Sequence, residues 1–245
     1  MPAAWFRCRT PRPQSLVRLV CLPHAGGTAS FFTEWDLGPE VEVLAAQYPG
    51  RSDRIVEPCL DSMTELAPRL AEALDPLLDR PLALFGHSMG AALAYEVARL
   101  LDRPPIHLFV SGRHAPAELV PGSLHTATDD ELVADLMRLG GTEAELFATP
   151  ELRNFFLPTV RADYRLAETY RWQPGPEPSC PITVLFGDSD PEVTAAQAER
   201  WRQHAVQEFA VAEFPGDHFY LAGARAAVQA RIGQALRGAI VAAGR

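Results

Sequence analysis

The sequence is poor in cysteine and lacks long apolar runs. Its 245 residues include four cysteines, none in a CxxC pair or beside a histidine at metal-ligand spacing. This excludes zinc-ribbon and thioredoxin-like classes. No run approaches the roughly 18 apolar residues of a membrane span, and the N-terminal stretch has prolines and arginines where a secretory signal needs apolar residues. We expect a cytoplasmic protein with reduced thiols and no membrane contact.

Basic residues are also in deficit. The 22 Lys and Arg stand against 31 Asp and Glu, a formal charge of −9, which argues against a general nucleic-acid or anionic-membrane binder. Apolar residues make up 47% of the chain and charged residues 22%, and this composition excludes wholesale disorder. A chain of this length buries a sizeable core, so we expect residues 1–245 to form a single domain.

Short apolar runs alternate with helical patterns along the chain. Five clear runs and a weaker sixth occupy residues 17–22, 41–46, 82–85, 106–110, 182–186 and 208–214. Their near-continuous apolar character favours strands that are buried on both faces of a parallel sheet. Helical patterns cover residues 62–78, 91–101, 193–204 and 226–242. The alternation predicts the α/β class, with a mostly parallel, doubly wound sheet.

Residues 113–172 interrupt this alternation, because they contain no convincing strand. Helices are predicted at 129–141, after the capping-box spacing of Thr128 and Glu131, and at 150–170. The same spacing, at Ser62 and Glu65, opens an earlier predicted helix. About 60 residues is too long for a simple crossover. We interpret the segment as a helical lid insertion over one end of the sheet; an elaborated connection without a functional role is the alternative.

The sequence GHSMG, at Gly86–Gly90, lies between a predicted strand and a predicted helix. This is the context of a nucleophile elbow, in which a serine occupies a strained turn above the sheet. Glycines two residues before and after Ser88 avoid the clashes that a Cβ would create. The N-terminus of the following helix favours developing negative charge. We predict Ser88 as the nucleophile of a serine hydrolase.

The base and the acid of such an arrangement follow the nucleophile along the chain. Only His204 and His218 come after the fifth predicted strand. His204 falls within a predicted helix and is expected to face solvent, whereas His218 lies in a Pro/Gly loop where the base belongs. The acid is expected after the fifth strand, where Asp188 and Asp190 are equal candidates and Glu192 is a distant third. The aspartate directly before His218 is discounted, because neighbouring side chains rarely align for such a bond.

The loop after the first strand, Leu22–Thr28, has the sequence LPHAGGT. Backbone N–H groups in a glycine-containing loop can point at a developing oxyanion. We expect one oxyanion donor from Ala25 and a second from Met89, the residue after the nucleophile. The alternative is that the two glycines form only a flexible turn. His24 and His87 flank the site but lack the chain position of the base, and we interpret both as packing or orienting residues.

Six motifs appear in order along the chain: PHAGG, YPGR, GHSMG, LPTVRADY, GDSDPEV and PGDHFYL. With them, residues 17–235 resemble type II thioesterases of polyketide or nonribosomal peptide biosynthesis. The resemblance implies an α/β-hydrolase fold with a helical lid. It implies Asp190 rather than Asp188 as the acid, since the family aspartate precedes Pro-x-Val. Ser88 and His218 match the nucleophile and base, and the two loop positions named above match the oxyanion donors.

The resemblance also implies an activity. Enzymes of this family hydrolyse acyl groups from the phosphopantetheine arm of carrier proteins and clear aberrant short units that block a synthase. We therefore expect thioester hydrolysis on acyl or peptidyl carrier proteins by a monomer, with no cofactor, metal or nucleic-acid partner. A small-molecule carboxylesterase or acyltransferase of the same fold is the alternative, because a triad does not distinguish them. A catalytically dead relative that acts as a binding module is the third hypothesis.

Carrier docking and acyl-chain choice are less defined by the sequence. Carrier proteins are commonly acidic and this chain is net negative, so docking needs a local cationic or apolar patch. The cationic candidates are Arg51, Arg54, Arg161, Arg165 and Arg171. The candidates for lining the acyl cleft are Leu136, Met137, Phe147, Phe155 and Phe156. Internally paired arginines and plain core packing are the respective alternatives.

Overall fold

The computed structural model describes residues 4–119, 121–140 and 147–243. Within these ranges, seven strands form one sheet in the order β1-β3-β2-β4-β5-β6-β7. The strands are β1 Phe6–Arg7, β2 Val17–Leu22, β3 Val41–Ala46, β4 Leu82–His87, β5 His107–Ser111, β6 Ile182–Gly187 and β7 Phe209–Phe214. All neighbouring strands are parallel except β1 and β3. The predicted mostly parallel sheet is confirmed. Strand β1 was not predicted, because its two residues are too few to form a recognisable apolar pattern.

Helices α1 to α5 lie between strands along the chain, as the alternation predicts, and α6 and α7 follow the last strand. They are α1 Met63–Leu74, α2 Met89–Leu100, α3 Asp129–Leu139, α4 Pro150–Thr169, α5 Ala195–Glu199, α6 Tyr220–Gly223 and α7 Arg225–Ala243. The single helix predicted over residues 193–204 was wrong in detail. It is the short α5 followed by a turn of 3-10 helix at Arg200–His204.

Side chains of the central strands alternate between two cores. Along β4, Leu84 belongs to the core beneath α1 and α2, whereas Phe85 belongs to the core beneath α7. The same alternation in β2 buries Cys21 completely, as expected of a small core residue. Helices on both faces explain why the strands have apolar residues at successive positions. The doubly wound arrangement is therefore confirmed.

Helices α3 and α4 form the insertion between β5 and β6. They share a separate apolar cluster that includes Leu132, Leu157 and Val160. A complete capping box at Thr128 opens α3. Ser62 has the same sequence spacing before α1 but makes no side-chain cap hydrogen bond. The predicted end of the first insertion helix, at residue 141, lies outside the described residues.

His204 does not face solvent, contrary to the expectation from the sequence. It is 2% exposed, and its Nδ1 lies 3.0 Å from Oε1 of Glu177. Its ring packs edge-on against Trp172 at 5.2 Å. The reason is the change of helix type, because the 3-10 turn rotates His204 towards the core instead of leaving it on an outer face.

The chain reverses its direction across the sheet between β2 and β4. It runs from β2 outwards to β3 and then returns to the other side of β2 for β4 and the later strands. The connections that leave the carboxyl ends of β2 and β4 therefore diverge and open a crevice between them. In open parallel sheets, ligands bind at this position. The loop after β2 and the turn after β4 carry part of the candidate site, and the loops after β6 and β7 supply Asp190 and His218.

Candidate active site

Ser88 occupies the tight turn between β4 and α2. Its backbone has φ 55° and ψ −116°, a conformation that is costly for a residue with a Cβ. The flanking glycines make the turn possible. A Cβ on Gly86 would lie 2.0 Å from the carbonyl oxygen of Gly90, and a Cβ on Gly90 would lie 2.1 Å from that of Leu22. Within the turn, Ser88 N–H donates a hydrogen bond of 2.8 Å to the carbonyl of Ser111, at the end of β5.

His218 and Asp190 form a buried pair beside this turn. His218 Nδ1 lies 3.0 Å from each carboxylate oxygen of Asp190. His218 is 2% exposed and Asp190 is 8% exposed. Because Asp190 engages Nδ1, Nε2 is the ring nitrogen of His218 that remains for another partner. His218 and Ser88 line the same cleft, with no hydrogen bond between their side chains among the described contacts, as is common in resting hydrolases.

The remaining acidic candidates have other partners. Asp188 is exposed, and its Oδ1 accepts a hydrogen bond from Gly216 N–H at 3.0 Å. That contact holds the pKa of Asp188 below its ordinary value. Asp217 turns its carboxylate back to Phe219 N–H at 2.8 Å. Glu192 is ion-paired with an arginine of α3. Of the acids considered from the sequence, the structure brings only Asp190 to the histidine.

His87 is buried, with its ring centroid 5.0 Å from that of His218, and half-buried His24 lies 5.8 Å from His87. Neither ring has a carboxylate partner among the described residues. Burial, followed by the neighbouring charges of His218 and Arg51, lowers the pKa of His24 to about 3. The pKa of His87 is well below its ordinary value, first because of burial and then because of His218 and His24. His87 Nδ1 lies 3.0 Å from the Ser111 hydroxyl. Both rings are neutral near pH 7 and pack around the turn, as the sequence analysis expected.

The loop after β2 brings Ala25 to the cleft. The N–H groups of Ala25 and Met89 make no hydrogen bond to any described residue. Gly26 has φ 74°, and its N–H donates to Oδ2 of Asp163 at 2.7 Å. The loop is therefore tied to α4 of the insertion. The two glycines are more than a flexible turn.

The sequence as a whole was compared with known proteins. Residues 17–236 match the Thioesterase domain family model. Thioesterase PikA5 of Streptomyces venezuelae is 43% identical over 89% of this chain and 80% of its own length. The gramicidin S biosynthesis protein GrsT of Aneurinibacillus migulanus is 37% identical over 89% and 88%. A solved structure of BorB, a type II thioesterase from the borrelidin biosynthetic cluster, is 44% identical with a TM-score of 0.87, covering 95% of this chain and 98% of the other.

The chain belongs to the thioesterase domain family. The resemblance drawn from the six motifs is thereby confirmed, and so is the α/β-hydrolase fold. Among the described residues of this thioesterase, no group of three His, Cys, Asp or Glu side chains has the arrangement of a metal site. No helix in the described ranges is long and apolar enough to cross a membrane.

The cleft of this thioesterase has a volume of about 290 Å³ and lies between the turn of Ser88 and the insertion. Of the five residues considered as acyl-cleft lining, only Leu136 lines it. Phe147 is buried in the insertion's own apolar cluster, Met137 and Phe156 pack against that cluster, and Phe155 is 56% exposed. Helical periodicity identified apolar positions in the insertion but could not say which face meets the cleft.

The arginines considered for docking are mostly paired within the thioesterase. Arg51 and Arg54 are buried, at 4% and 8% exposure, and so are removed from any surface. Arg161 and Arg165 pair with Asp129 and Asp61. Arg171 donates to backbone carbonyls of its own helix end. The internally paired interpretation therefore fits these side chains best.

Sequence reasoning missed the partnership of Arg51 and Asp163. Both guanidinium Nη atoms meet the carboxylate, at 2.6 Å and 2.7 Å. The signal was present, since these residues belong to the motifs YPGR and LPTVRADY. Their separation of 112 positions left no local pattern that would join them.

Proposed function

We propose that this thioesterase hydrolyses acyl thioesters from the phosphopantetheine arm of acyl or peptidyl carrier proteins, as a type II editing enzyme of polyketide or nonribosomal peptide synthesis. The relatives' names support this pathway class, since one belongs to the borrelidin cluster and another to gramicidin S biosynthesis. The observation that carries the chemistry is the buried His218–Asp190 pair beside the strained turn of Ser88.

In the first half-reaction, Ser88 Oγ attacks the thioester carbonyl while His218 Nε2 takes the hydroxyl proton. Asp190 holds the ring with its proton on Nδ1 and stabilises the imidazolium. The N–H groups of Ala25 and Met89 bind the oxyanion, and the N-terminus of α2 adds a favourable dipole. Collapse breaks the C–S bond. The pantetheine thiol leaves with the proton of His218, which returns the imidazole to its neutral form; an ordinary thiol pKa of ~8.5 makes the sulfur a better leaving group than an amine.

In the second half-reaction, water replaces the thiol in the cleft. His218 takes a proton from the water as its oxygen attacks the acyl-Ser88 ester. The same two backbone donors stabilise the second tetrahedral intermediate. Its collapse releases the carboxylic acid and returns the proton to Ser88. The described residues supply every proton transfer, so the proposed cycle calls for no metal or cofactor.

We also propose a lid role for the insertion, a cytoplasmic location and a monomeric state. Residues 113–172 serve as the lid, because α3 and α4 wall the cleft opposite Ser88. All four cysteines are unpaired, which is typical of a reducing compartment and supports action in the cytoplasm. One chain supplies the nucleophile, base, acid and both oxyanion donors, and the proposed reaction therefore proceeds in a monomer that acts on carrier proteins in trans.

The experiment is a comparison of substrates that differ only in the leaving atom. Short acyl-phosphopantetheinyl carrier proteins are offered beside matched oxoesters, in which oxygen replaces the thioester sulfur. We expect preferential hydrolysis of the carrier thioesters by the native protein and no hydrolysis above background by Ser88→Ala. A strong oxoester preference would instead assign the carboxylesterase function, and transfer to an added alcohol or amine would assign an acyltransferase.

A second measurement distinguishes an inactive protein from an active enzyme whose acyl substrate was not among those tested. A fluorophosphonate probe labels an activated serine without regard to the acyl group. We expect labelling of the native protein and none of Ser88→Ala. A native protein that stays unlabelled would favour the binding-module hypothesis.

A further inference from the structure

The loop that carries Ala25 is held from outside by one buried ion pair. Asp163 of α4 accepts the Gly26 N–H at 2.7 Å. Arg51, paired with Asp163, donates to the Gly27 carbonyl at a distance of 3.2 Å. Gly26 also packs closely on α4, since a Cβ there would lie 3.1 Å from Val160 Cγ2. The pair thus joins three separated parts of the chain at a loop that the proposed mechanism uses.

The pair itself is almost fully buried and bidentate. Asp163 is 1% exposed and Arg51 is 4% exposed, and both carboxylate oxygens are engaged by the guanidinium. Burial alone lowers the pKa of Arg51, but the charge and hydrogen bonds of Asp163 raise it above its ordinary value. Bidentate pairing of this kind fixes direction as well as distance. The carboxylate therefore presents Oδ2 to Gly26 in one geometry.

These contacts determine where the Ala25 N–H points. Asp163 holds the peptide plane between Ala25 and Gly26, and Arg51 holds the plane that follows Gly27. With Gly27 so placed, its N–H donates to the His24 carbonyl at 3.0 Å. In a trans peptide the C=O and N–H point in opposite directions. Holding the His24 carbonyl therefore turns the Ala25 N–H to the opposite side, where it has no partner among the described residues.

We propose that Asp163 and Arg51 are positioning residues that orient the oxyanion loop of this thioesterase through the Gly26 N–H and the Gly27 carbonyl. This inference rests on the proposed role of Ala25 as an oxyanion donor. It assigns a task to the motifs YPGR and LPTVRADY, and it makes the insertion helix α4 a support of the catalytic geometry as well as a wall of the cleft.

Two variants separate orientation from stability. Asp163→Asn keeps a carbonyl oxygen for the Gly26 N–H but leaves Arg51 as an unpaired buried charge, which is strongly destabilising. The double variant Arg51→Met/Asp163→Leu removes both charges, and apolar replacement of a whole buried pair is often neutral in stability. It also removes the acceptor for Gly26. We therefore expect Asp163→Asn to have the lower melting temperature of the two variants but the higher kcat.

The assay uses a short acyl thioester of N-acetylcysteamine, so that carrier docking plays no part. Removing an oxyanion donor costs ~10²–10³ in kcat. For the double variant we expect kcat to fall at least ~30-fold with KM within about threefold, a partial loss of that donor. For Asp163→Asn we expect a loss under ~10-fold despite its lower melting temperature. Arg153→Met, which removes a different ion pair of α4, should retain the native kcat.

The inhibition constant of a transition-state analogue distinguishes orientation of the oxyanion loop from a purely structural role, because a purely structural role would leave that constant unchanged. A trifluoromethyl ketone analogue of the substrate forms an adduct with Ser88 whose oxygen occupies the oxyanion position. Its inhibition constant should rise in the double variant by the factor that kcat/KM falls, whereas the Kd of an unreactive thioether analogue should not change.

The inference is overturned if the double variant keeps native kcat, or if kcat follows melting temperature across the variants. Failure of the proposed function looks different. In that case the native protein itself does not hydrolyse thioesters, or Ser88→Ala retains turnover.

Discussion

Ser88, the proposed nucleophile, has a strained backbone. Among the described residues other than glycine, only Ser52 also has a positive φ. Such a conformation costs of order 1–3 kcal/mol and persists only where the surroundings impose it. Here the surroundings impose it, because backbone atoms lie too close to Gly86 and Gly90 to leave room for a Cβ at either position. The turn places Ser88 directly after β4, where the residue lines the cleft.

At the same scale, the two neighbouring aspartates give a sharp comparison. Asp190→Asn should reduce kcat for thioester hydrolysis by ~10³–10⁴, because an amide facing His218 Nδ1 favours the wrong tautomer. Asp188→Asn keeps an oxygen for Gly216 N–H and should stay within about threefold of native kcat. Steady-state kinetics of both variants on one thioester provide the measurement. A reversed ranking would move the acid role to Asp188.

At the scale of elements, helix capping distinguishes α3 from α1. Both helices follow the sequence pattern S/T-x-x-E, but only Thr128 accepts a hydrogen bond from its N3 residue, Glu131. Ser62 Oγ instead lies 2.7 Å from the Thr64 hydroxyl. The pattern shows where a helix begins but does not decide whether the cap forms, since neighbouring hydroxyls compete for the side chain.

This difference makes Thr128→Ala and Ser62→Ala a matched pair. Loss of a formed N-cap costs about 1 kcal/mol, so Thr128→Ala should speed amide hydrogen exchange in α3 about fivefold. Ser62→Ala should change exchange in α1 by less than about twofold, because no cap bond is lost. Equal effects in the two helices would contradict the assignment of the caps.

On the scale of the whole molecule, the fold keeps titratable rings in dry surroundings. His107 lies on β5, where its Nε2 is 2.8 Å from the Thr183 hydroxyl and its ring stacks on Phe109 at 4.2 Å. Burial, and then the charge of Arg231, lowers its pKa to about 4. Together with His24 and its pKa of about 3, it connects folding stability to pH.

The sign follows from proton binding. An unfolded histidine has a pKa of ~6.5 and takes up a proton below that pH, whereas folded His107 remains neutral down to about 4. The free energy of unfolding therefore falls as pH decreases from 6.5 towards 4. Between pH 7.5 and 5.0, His107→Gln should lose about 2 kcal/mol less than the native protein, measured by urea unfolding. An unchanged pH dependence would show that His107 is protonated in the folded state.

Local sequence patterns were sufficient to predict a large part of this structure. Apolar runs located six of the seven strands, because burial on both faces leaves a continuous signature. The turn of Ser88 was recognisable from the glycines two residues before and two residues after it, a spacing that is contained in five consecutive residues. His218 followed from its position after the last strand. Each of these inferences depends on neighbours in sequence, and the structure gives the two side chains one shared cleft.

Other features depended on contacts between distant parts of the chain. The residues alone left Asp188 and Asp190 equal; their different neighbours, Gly216 and His218, appear only when two loops meet.

By itself, the sequence determined the α/β class, the strained turn and the chain order of the proposed catalytic residues, because periodicity and glycine spacing are local properties. Only the tertiary structure decided which acid meets the histidine, which residues of the insertion line the cleft and which ion pair contacts the loop after β2. Burial and charge pairing are relations between surfaces, and Arg51 and Asp163 become partners only when α4 packs over the sheet.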